Sequence, residues 1–189
     1  SLFNRIAIKD LKIYDQDHEL ALTSKYLSAK IKLVELIKGN ISFSTILLMD
    51  TNINLYKETQ EAPLNIQFIL DALQTDENTS EKKTRLGIGS LIITRANMAY
   101  HHRWTEQTPE RFNQNHISIK DLNTNISIKT IQSDSINVRL RNLSAKEQSG
   151  FEIKALSFNL TGNQQRFEIS NLNINLPNTL ITSAKALAL

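Results

Sequence analysis

The sequence predicts a mainly β protein with minor α content: a curved antiparallel sheet, with one or two short helices, forming an open trough or a clam-like sandwich. The first observation behind this is the phrase Ile6-Ala-Ile-Lys-Asp-Leu-Lys-Ile13, which returns in degenerate form along the chain. It reappears at Ile41 to Leu48, Leu86 to Ile93, Ile117 to Leu122, Val138 to Leu143, Phe151 to Phe158 and Phe167 to Ile174. Apolar residues fall at i, i+2, i+5 and usually i+7. The two-residue steps are strand alternation, which places one side of each segment on an apolar face. The second observation is the three-residue step in the middle, which breaks parity. Two consecutive polar residues must there be absorbed by a bulge or bend if the apolar face is to continue. The third is what lies between the apolar residues: mostly Lys, Glu, Asn, Ser, Arg or Gly, with Leu following Asp, Asn or Ser. Position alone is weak evidence, because at 40% hydrophobic residues four fixed positions are all apolar in roughly 3% of windows.

Taken in order, Phe3 to Tyr14 reads as a strand, Asp15 to His18 as a turn, and Leu20 to Leu33 as a second strand. Val34 to Gly39 reads as one short helical turn, stopped by Gly39 in the usual C-terminal position. Asn40 to Tyr56 is a long extended stretch. Ile66, Ile69, Leu70 and Leu73 sit at helical spacing after Pro63 and Asn65, which predicts a short amphipathic helix at about 64–73. The polar stretch 74–85 has nothing to bury and reads as a mobile loop. From Leu86 onward the pattern is strand, interrupted by an irregular connection from Arg103 to Gln114 and by turns at Gln148-Ser-Gly150 and Thr161-Gly-Asn163. The phrases are unevenly spaced, so the arrangement reads as an antiparallel meander and not a fixed-period solenoid. The organisation is therefore a β region with its helix over 1–73, a flexible loop over 74–85, and a meander over 86–189 continuing the same sheet.

Composition narrows the function. A chain of 189 residues can form one large domain or two small ones. The formal charge is +3, with 22 basic residues scattered along the sequence, a poor basis for tracking nucleic-acid phosphates. Cysteine is absent, which excludes disulfides, thiolate metal sites and thiol catalysis together. No apolar run approaches the ~18 residues of a spanning helix, and no signal-peptide pattern opens the chain. Because it starts abruptly at Ser1 in strand-like sequence, it reads as a piece of something longer. Asn-x-Ser/Thr triplets start at Asn40, Asn78, Asn125, Asn142 and Asn159. Several fall inside expected strands, so they read as general Asn richness instead of glycosylation sites.

Catalytic chemistry has no foothold. His18, His101, His102 and His116 read as solvated surface histidines, since neighbours on a strand such as His101 and His102 point to opposite faces and cannot readily share a metal. Phosphate-binding glycine loops, nucleophile elbows and zinc-protease motifs are missing. Asp10, Asp15 and Asp17 are accounted for by turns and solvation. Trp104, with Tyr100 and His102, reads as a packing anchor beside a loop. No catalytic residue, cofactor or metal is expected.

The order strand, strand, Leu36-to-Gly39 turn, long strand ending near Asp50, then Leu64-Asn65-Ile66 opening a helix, resembles the N-terminal region of the AsmA/TamB superfamily in its Bacteroidetes form. Pairs such as Asp10-Leu11 and Asn171-Leu172 within alternating apolar positions carry the same resemblance. It is best over 40–73 and continues in style through Leu189. The resemblance implies a periplasmic part of an envelope protein, tethered to the inner membrane by a helix absent from this sequence. It further implies a β-trough through which phospholipid acyl chains pass between membranes, and an outer-membrane barrel assembly partner for TamB-like members. Exposing an acyl chain to water costs about 0.8 kcal/mol per methylene, on the order of 10 kcal/mol for a sixteen-carbon tail. The candidate lining is Ile6, Ile8, Leu11 and Ile13; Ile117, Ile119 and Leu122; and Phe151, Ile153, Phe167, Ile169, Leu172 and Ile174. The same alternation would equally fill the closed interior of a sandwich acting as a structural or protein-interaction module of the envelope.

Overall fold

A computed structural model describes residues 4–39, 41–73, 86–108, 111–132, 135–163 and 166–188; the expected loop over 74–85 lies outside them. Ten strands and two short helices follow one another as β1 (Arg5–Tyr14), β2 (Leu20–Ile31), α1 (Leu33–Ile37), β3 (Ile41–Lys57), α2 (Gln67–Leu73), β4 (Leu86–Ile88), β5 (Ser90–His102), β6 (His116–Gln132), β7 (Ser135–Glu147), β8 (Glu152–Gly162), β9 (Phe167–Leu176) and β10 (Thr179–Ala188). They form one sheet in the order β1-β2-β3-β5-β6-β7-β8-β9-β10, with β4 also paired to β3. The two ends of this path do not pair, so the sheet is open. At ~4.8 Å per strand its nine-strand path extends about 38 Å along the hydrogen-bonding direction.

Three expectations need adjusting. The sheet is antiparallel except where β3 runs parallel to β4 and β5. A parallel neighbour requires the chain to return to the start of the previous strand, which the long connection after Lys57 provides and a hairpin could not. The helix expected from residue 64 starts at Gln67, because Asn65 is engaged elsewhere. Its side chain accepts from the Tyr56 N–H (3.1 Å) and donates to the Asn54 carbonyl (3.0 Å) and to Asp15 (3.1 Å). The second strand stops at Ile31, since Lys32 already turns into α1. The expected turns at Asp15 to His18 and at Gln148 to Gly150 are in place, whereas Thr161 and Gly162 close β8 and the reversal follows from Asn163. Gly39 lies just past α1 at φ +84°, and Gly162 sits at φ +149°, where a Cβ would come within 2.1 Å of the Arg166 carbonyl.

Side chains directly opposite each other on paired strands share a face. The register therefore strings residues into rows across the sheet. One row is Ile6, Ala29, Ile46, Leu91, Ile126 and Leu140; the next is Ile8, Leu27, Leu48, Ile93, Thr124 and Leu143. A third contains Leu11, Ser24, Thr51, Ala96 and Leu122, and a fourth Ile13, Leu22, Ile53, Met98 and Ile119. All four are on the same face. Between Ile93 and Ala96 β5 takes three steps while β6 takes two, from Thr124 to Leu122. Plain alternation on β6 thus fixes Ile93 and Ala96 to one side. One step further the roles reverse, with β5 alternating from Ala96 to Met98 while β6 takes three steps from Leu122 to Ile119.

The extra residue sits in the left-handed region on several strands: Asp10, Asp50, Arg95, Asp121 and Asn171 have φ between 49° and 53°. Asp and Asn tolerate this conformation better than most residues. Arg95 is held there by its N–H donating to Asn123 Oδ1 (2.9 Å) and by its guanidinium, which makes two bonds to Asp50 (2.7 and 3.0 Å). The kinks at Asp10, Asp50 and Arg95 fall between the same two rows and form a transverse crease.

Burial agrees with a bent single layer. Thr51 and Ala96 are fully buried and Ser24 is 1% exposed, whereas the large aliphatics on either side are only half-buried. Small side chains fill the inside of the fold line, where neighbouring strand segments crowd them. Thr51 Oγ1 donates to Ser24 Oγ (2.9 Å), and Ser24 Oγ to the Met49 carbonyl (3.1 Å). The buried hydrophobic residues among those described are Ala21, Ala29, Tyr56, Ala96 and Leu140. A compact monomer of 21.5 kDa exposes about 9,200 Å²; this one exposes 12853 Å². Of the two arrangements the sequence allows, open trough and filled interior, the described residues adopt the open one.

Candidate functional site

The candidate site is the creased apolar face. Ile6, Ile8, Leu11 and Ile13 enter it from β1; Ile117, Ile119 and Leu122 from β6. On the far side Ile153 pairs with Ala145, whose neighbour two residues back, Leu143, is in the second row. Ile174 joins that same row through Leu156, with Leu172 two residues before it. Ile169 faces Leu160, which faces Val138 and then Ile128, two residues from Ile126; Phe167 follows by alternation. Twelve of the thirteen candidates thus share one face. Phe151 lies just before β8, in the turn, where Glu147 N–H donates to its carbonyl (2.8 Å). None of the thirteen is buried: Ile6, Ile8 and Phe151 are exposed and the rest half-buried.

Residues that sequence reasoning left out complete the surface. Leu22, Leu27, Ile46, Leu48, Ile53 and Met98 share the same rows. Their parity signal in Ile46-Leu47-Leu48-Met49 was masked by apolar residues on both faces. Leu47 and Met49 project to the opposite side, which otherwise carries residues such as Lys9, Lys12, Asn52 and Asn97. Over β3, β5 and β6 a shallow depression of about 380 Å³ is lined by Leu20, Ile53, Met98 and Ile119 together with polar neighbours.

A polar clasp fixes the end of the sheet where β1 turns into β2. Asp15, expected as a solvated turn residue, is 5% exposed. Its carboxylate accepts from the N–H groups of Asp17 (3.0 Å) and Glu19 (2.8 Å), from the Tyr56 hydroxyl (2.8 Å) and from Asn65. Burial pushes its pKa up, but the Tyr56, Asn65, Glu19 and Asp17 hydrogen bonds outweigh that and hold it below the ordinary value. Burial first, then the Asp15 carboxylate, raise the Tyr56 phenol well above its usual range. Arg103 lies 3.5 Å from the Tyr56 ring centroid and pairs with Glu19 and Glu58. The clasp thereby joins the β1–β2 turn, the segment after β3 and the segment after β5.

His18 is exposed, as the solvated reading expects, but the strand histidines differ from it. His116 is 2% exposed. Its Nε2 lies 3.0 Å from the Thr105 carbonyl and its Nδ1 3.1 Å from His101 Nδ1. A carbonyl only accepts, so Nε2 carries the proton and His101 Nδ1–H donates to His116 Nδ1. Burial, then His116 and Arg103, push the His101 pKa below its ordinary value. His102 is on the other face, stacked on Trp104 at 4.4 Å and 2.6 Å from the Tyr100 hydroxyl, which fits a packing anchor. Among the described residues no group of three or more His, Cys, Asp or Glu is placed to hold a metal ion, and no helix is long and apolar enough to cross a membrane. No family model matches the chain, and no curated protein matches it.

Proposed function

We propose that the creased face shields phospholipid acyl chains, as in the AsmA/TamB-like superfamily that the sequence resembles, and that the chain is the periplasmic part of an envelope protein moving lipid between inner and outer membrane. One observation carries the reading: rows made mostly of Ile and Leu cross the strands on one side of the sheet, with small residues along the crease, and no second layer of the described protein covers them. A monomer has little reason to leave so much aliphatic surface in water unless something apolar occupies it. The rows are mostly aliphatic, their hydroxyls at Ser24, Thr51 and Thr124 are buried, and Glu147 stands at the margin opposite Ile119, which suits a cargo that is sheltered and not transformed. The crease supports the same reading, since it bends the sheet around a line along which acyl chains can lie.

The test is direct. Purified protein is extracted with organic solvent and the extract examined by mass spectrometry for phospholipid, followed by titration with a fluorescent fatty-acyl probe. The reading expects phospholipid in the extract and saturable probe binding. Absence of both would reject it in favour of an envelope interaction module whose apolar face is covered by protein.

A further inference from the structure

α1 is the most anomalous surface on the molecule. Four of its five residues are large, apolar and exposed: Leu33 at 43%, Val34 at 65%, Leu36 at 48% and Ile37 at 87%. A helix on a protein surface ordinarily turns one face to the core and the other to water, yet here apolar side chains project on all sides. Ile41, at the start of β3, extends the patch. Lysines surround it, with Lys32 immediately before, Lys38 immediately after, and Lys30 two residues further back, all exposed. The acidic residue in the helix, Glu35, is half-buried and bonded to Lys38 at 3.0 Å. The neighbouring strand adds to the charge at this end of the sheet, where Arg5 at the start of β1 pairs with Lys30.

We infer that α1 is a membrane-docking tip that inserts its apolar side chains into the interface of an anionic lipid bilayer while the lysines engage headgroups. A protein groove would need to enclose a knob that is apolar on every side. A bilayer does this without any matched shape, and the ring of lysines complements anionic headgroups while their methylene stems extend the apolar contact. The position is apt, because α1 joins β2 to β3 and so stands on the rim close to the β1 end of the trough. The proposal adds to the lipid-shielding reading and does not depend on it, since a tip can dock whether or not the face carries cargo.

Flotation with vesicles of 70% phosphatidylcholine and 30% phosphatidylglycerol tests it. The protein should float with these vesicles, and bind those of pure phosphatidylcholine at least tenfold more weakly. A nearby lysine contributes about fivefold at an anionic surface, so replacing Lys30, Lys32 and Lys38 with Gln should weaken binding on the order of a hundredfold. Val34→Asp with Ile37→Asp should also abolish flotation while leaving the thermal unfolding midpoint unchanged, both side chains being exposed. Because the chain has no cysteine, Ile37→Cys accepts a single environment-sensitive dye, with Asn178→Cys, in the β9–β10 turn at the opposite end of the strands, as control. Vesicles should shift the emission to the blue at position 37 and not at 178. Failure to float, flotation indifferent to the Val34 and Ile37 changes, or equal shifts at both labels would each overturn the proposal. Lipid extraction from the purified protein is a separate readout, so failure of the tip and failure of the groove are distinguishable.

Discussion

Replacing Ala96 and Ile153 separately by Asp puts the open trough to a quantitative test. Ala96 is fully buried at the crease between Thr51 and Leu122, and an Asp there would be an enclosed charge facing no cation in its row. Such a charge costs about 4 kcal/mol or more. Ile153 stands on the wall and is half-buried. Full burial of an isoleucine contributes about 1.5–3 kcal/mol, so roughly half is lost, and the poorer strand propensity of Asp adds up to ~1 kcal/mol. The total is about 2 kcal/mol, within the ~5–15 kcal/mol that typically separates folded from unfolded domains. With a urea slope of ~2 kcal/mol per molar, Ile153→Asp should lower the unfolding midpoint by about 1 M and Ala96→Asp by about 2 M or leave the chain unfolded. Circular dichroism in urea measures both. If Ile153→Asp proves as damaging as Ala96→Asp, the wall is enclosed and the reasoning fails. A folded Ile153→Asp protein should in addition retain less acyl probe than the parent.

Further outcomes follow from the clasp, the kinks and the His101–His116 pair. Asp15→Ala strands the buried Tyr56 hydroxyl and should cost about 3 kcal/mol in urea unfolding. The Asp15 carboxyl is held below its unfolded value of about 3.9, so its contribution is complete above that pH and is lost as pH falls through the folded value. Unfolding midpoints measured from pH 5 downward should therefore decline less steeply in Asp15→Asn than in the parent. Asn171→Val places a β-branched residue at φ 52° and should cost about 1–2 kcal/mol, whereas Asn171→Gly should be close to neutral in the same assay. His101, depressed below about 6.5, stabilises the fold fully above that value and progressively less as pH falls through its folded value. His101→Gln should flatten the dependence of stability on pH in that window.

Much of this architecture was legible because a single layer with one apolar face keeps the period-two signal clean. Leu11 and Leu122, each following an aspartate, expose the parity break in the sequence itself. Where both faces are apolar, as at Leu47 and Met49, the signal disappeared. The parallel β3–β5 pair was hidden because its cause is a long connection, and nothing local in Ser90–His102 encodes strand direction. Asp15 and His116 were misjudged for a related reason. Their burial depends on Tyr56, Asn65, Thr105 and His101, which are remote in sequence or face them only after pairing. Strand pairing also brings Arg5 opposite Lys30, a juxtaposition that the linear order does not display.

The recurring phrase has a geometric cause. Five strands cross the same four rows: Ile6 to Ile13, Leu22 to Ala29, Ile46 to Ile53, Leu91 to Met98, and Ile119 to Ile126. Each takes seven steps, an odd number, although both ends face the same side and plain alternation would take six. Each strand therefore supplies one extra residue, and the i, i+2, i+5, i+7 spacing is what a strand looks like when it crosses a crease. A strand lacking the extra residue would arrive with its apolar side reversed, as would its neighbours beyond. The constraint acts on each strand through its partners and not on the loops between them, so the phrase repeats while its spacing along the chain does not. Inserting one residue next to Asp121, the kink of the central strand β6, should for this reason disrupt β5 and β7 as well. Hydrogen exchange would show protection lost across all three strands if the crease is shared, and confined to β6 if each kink is independent.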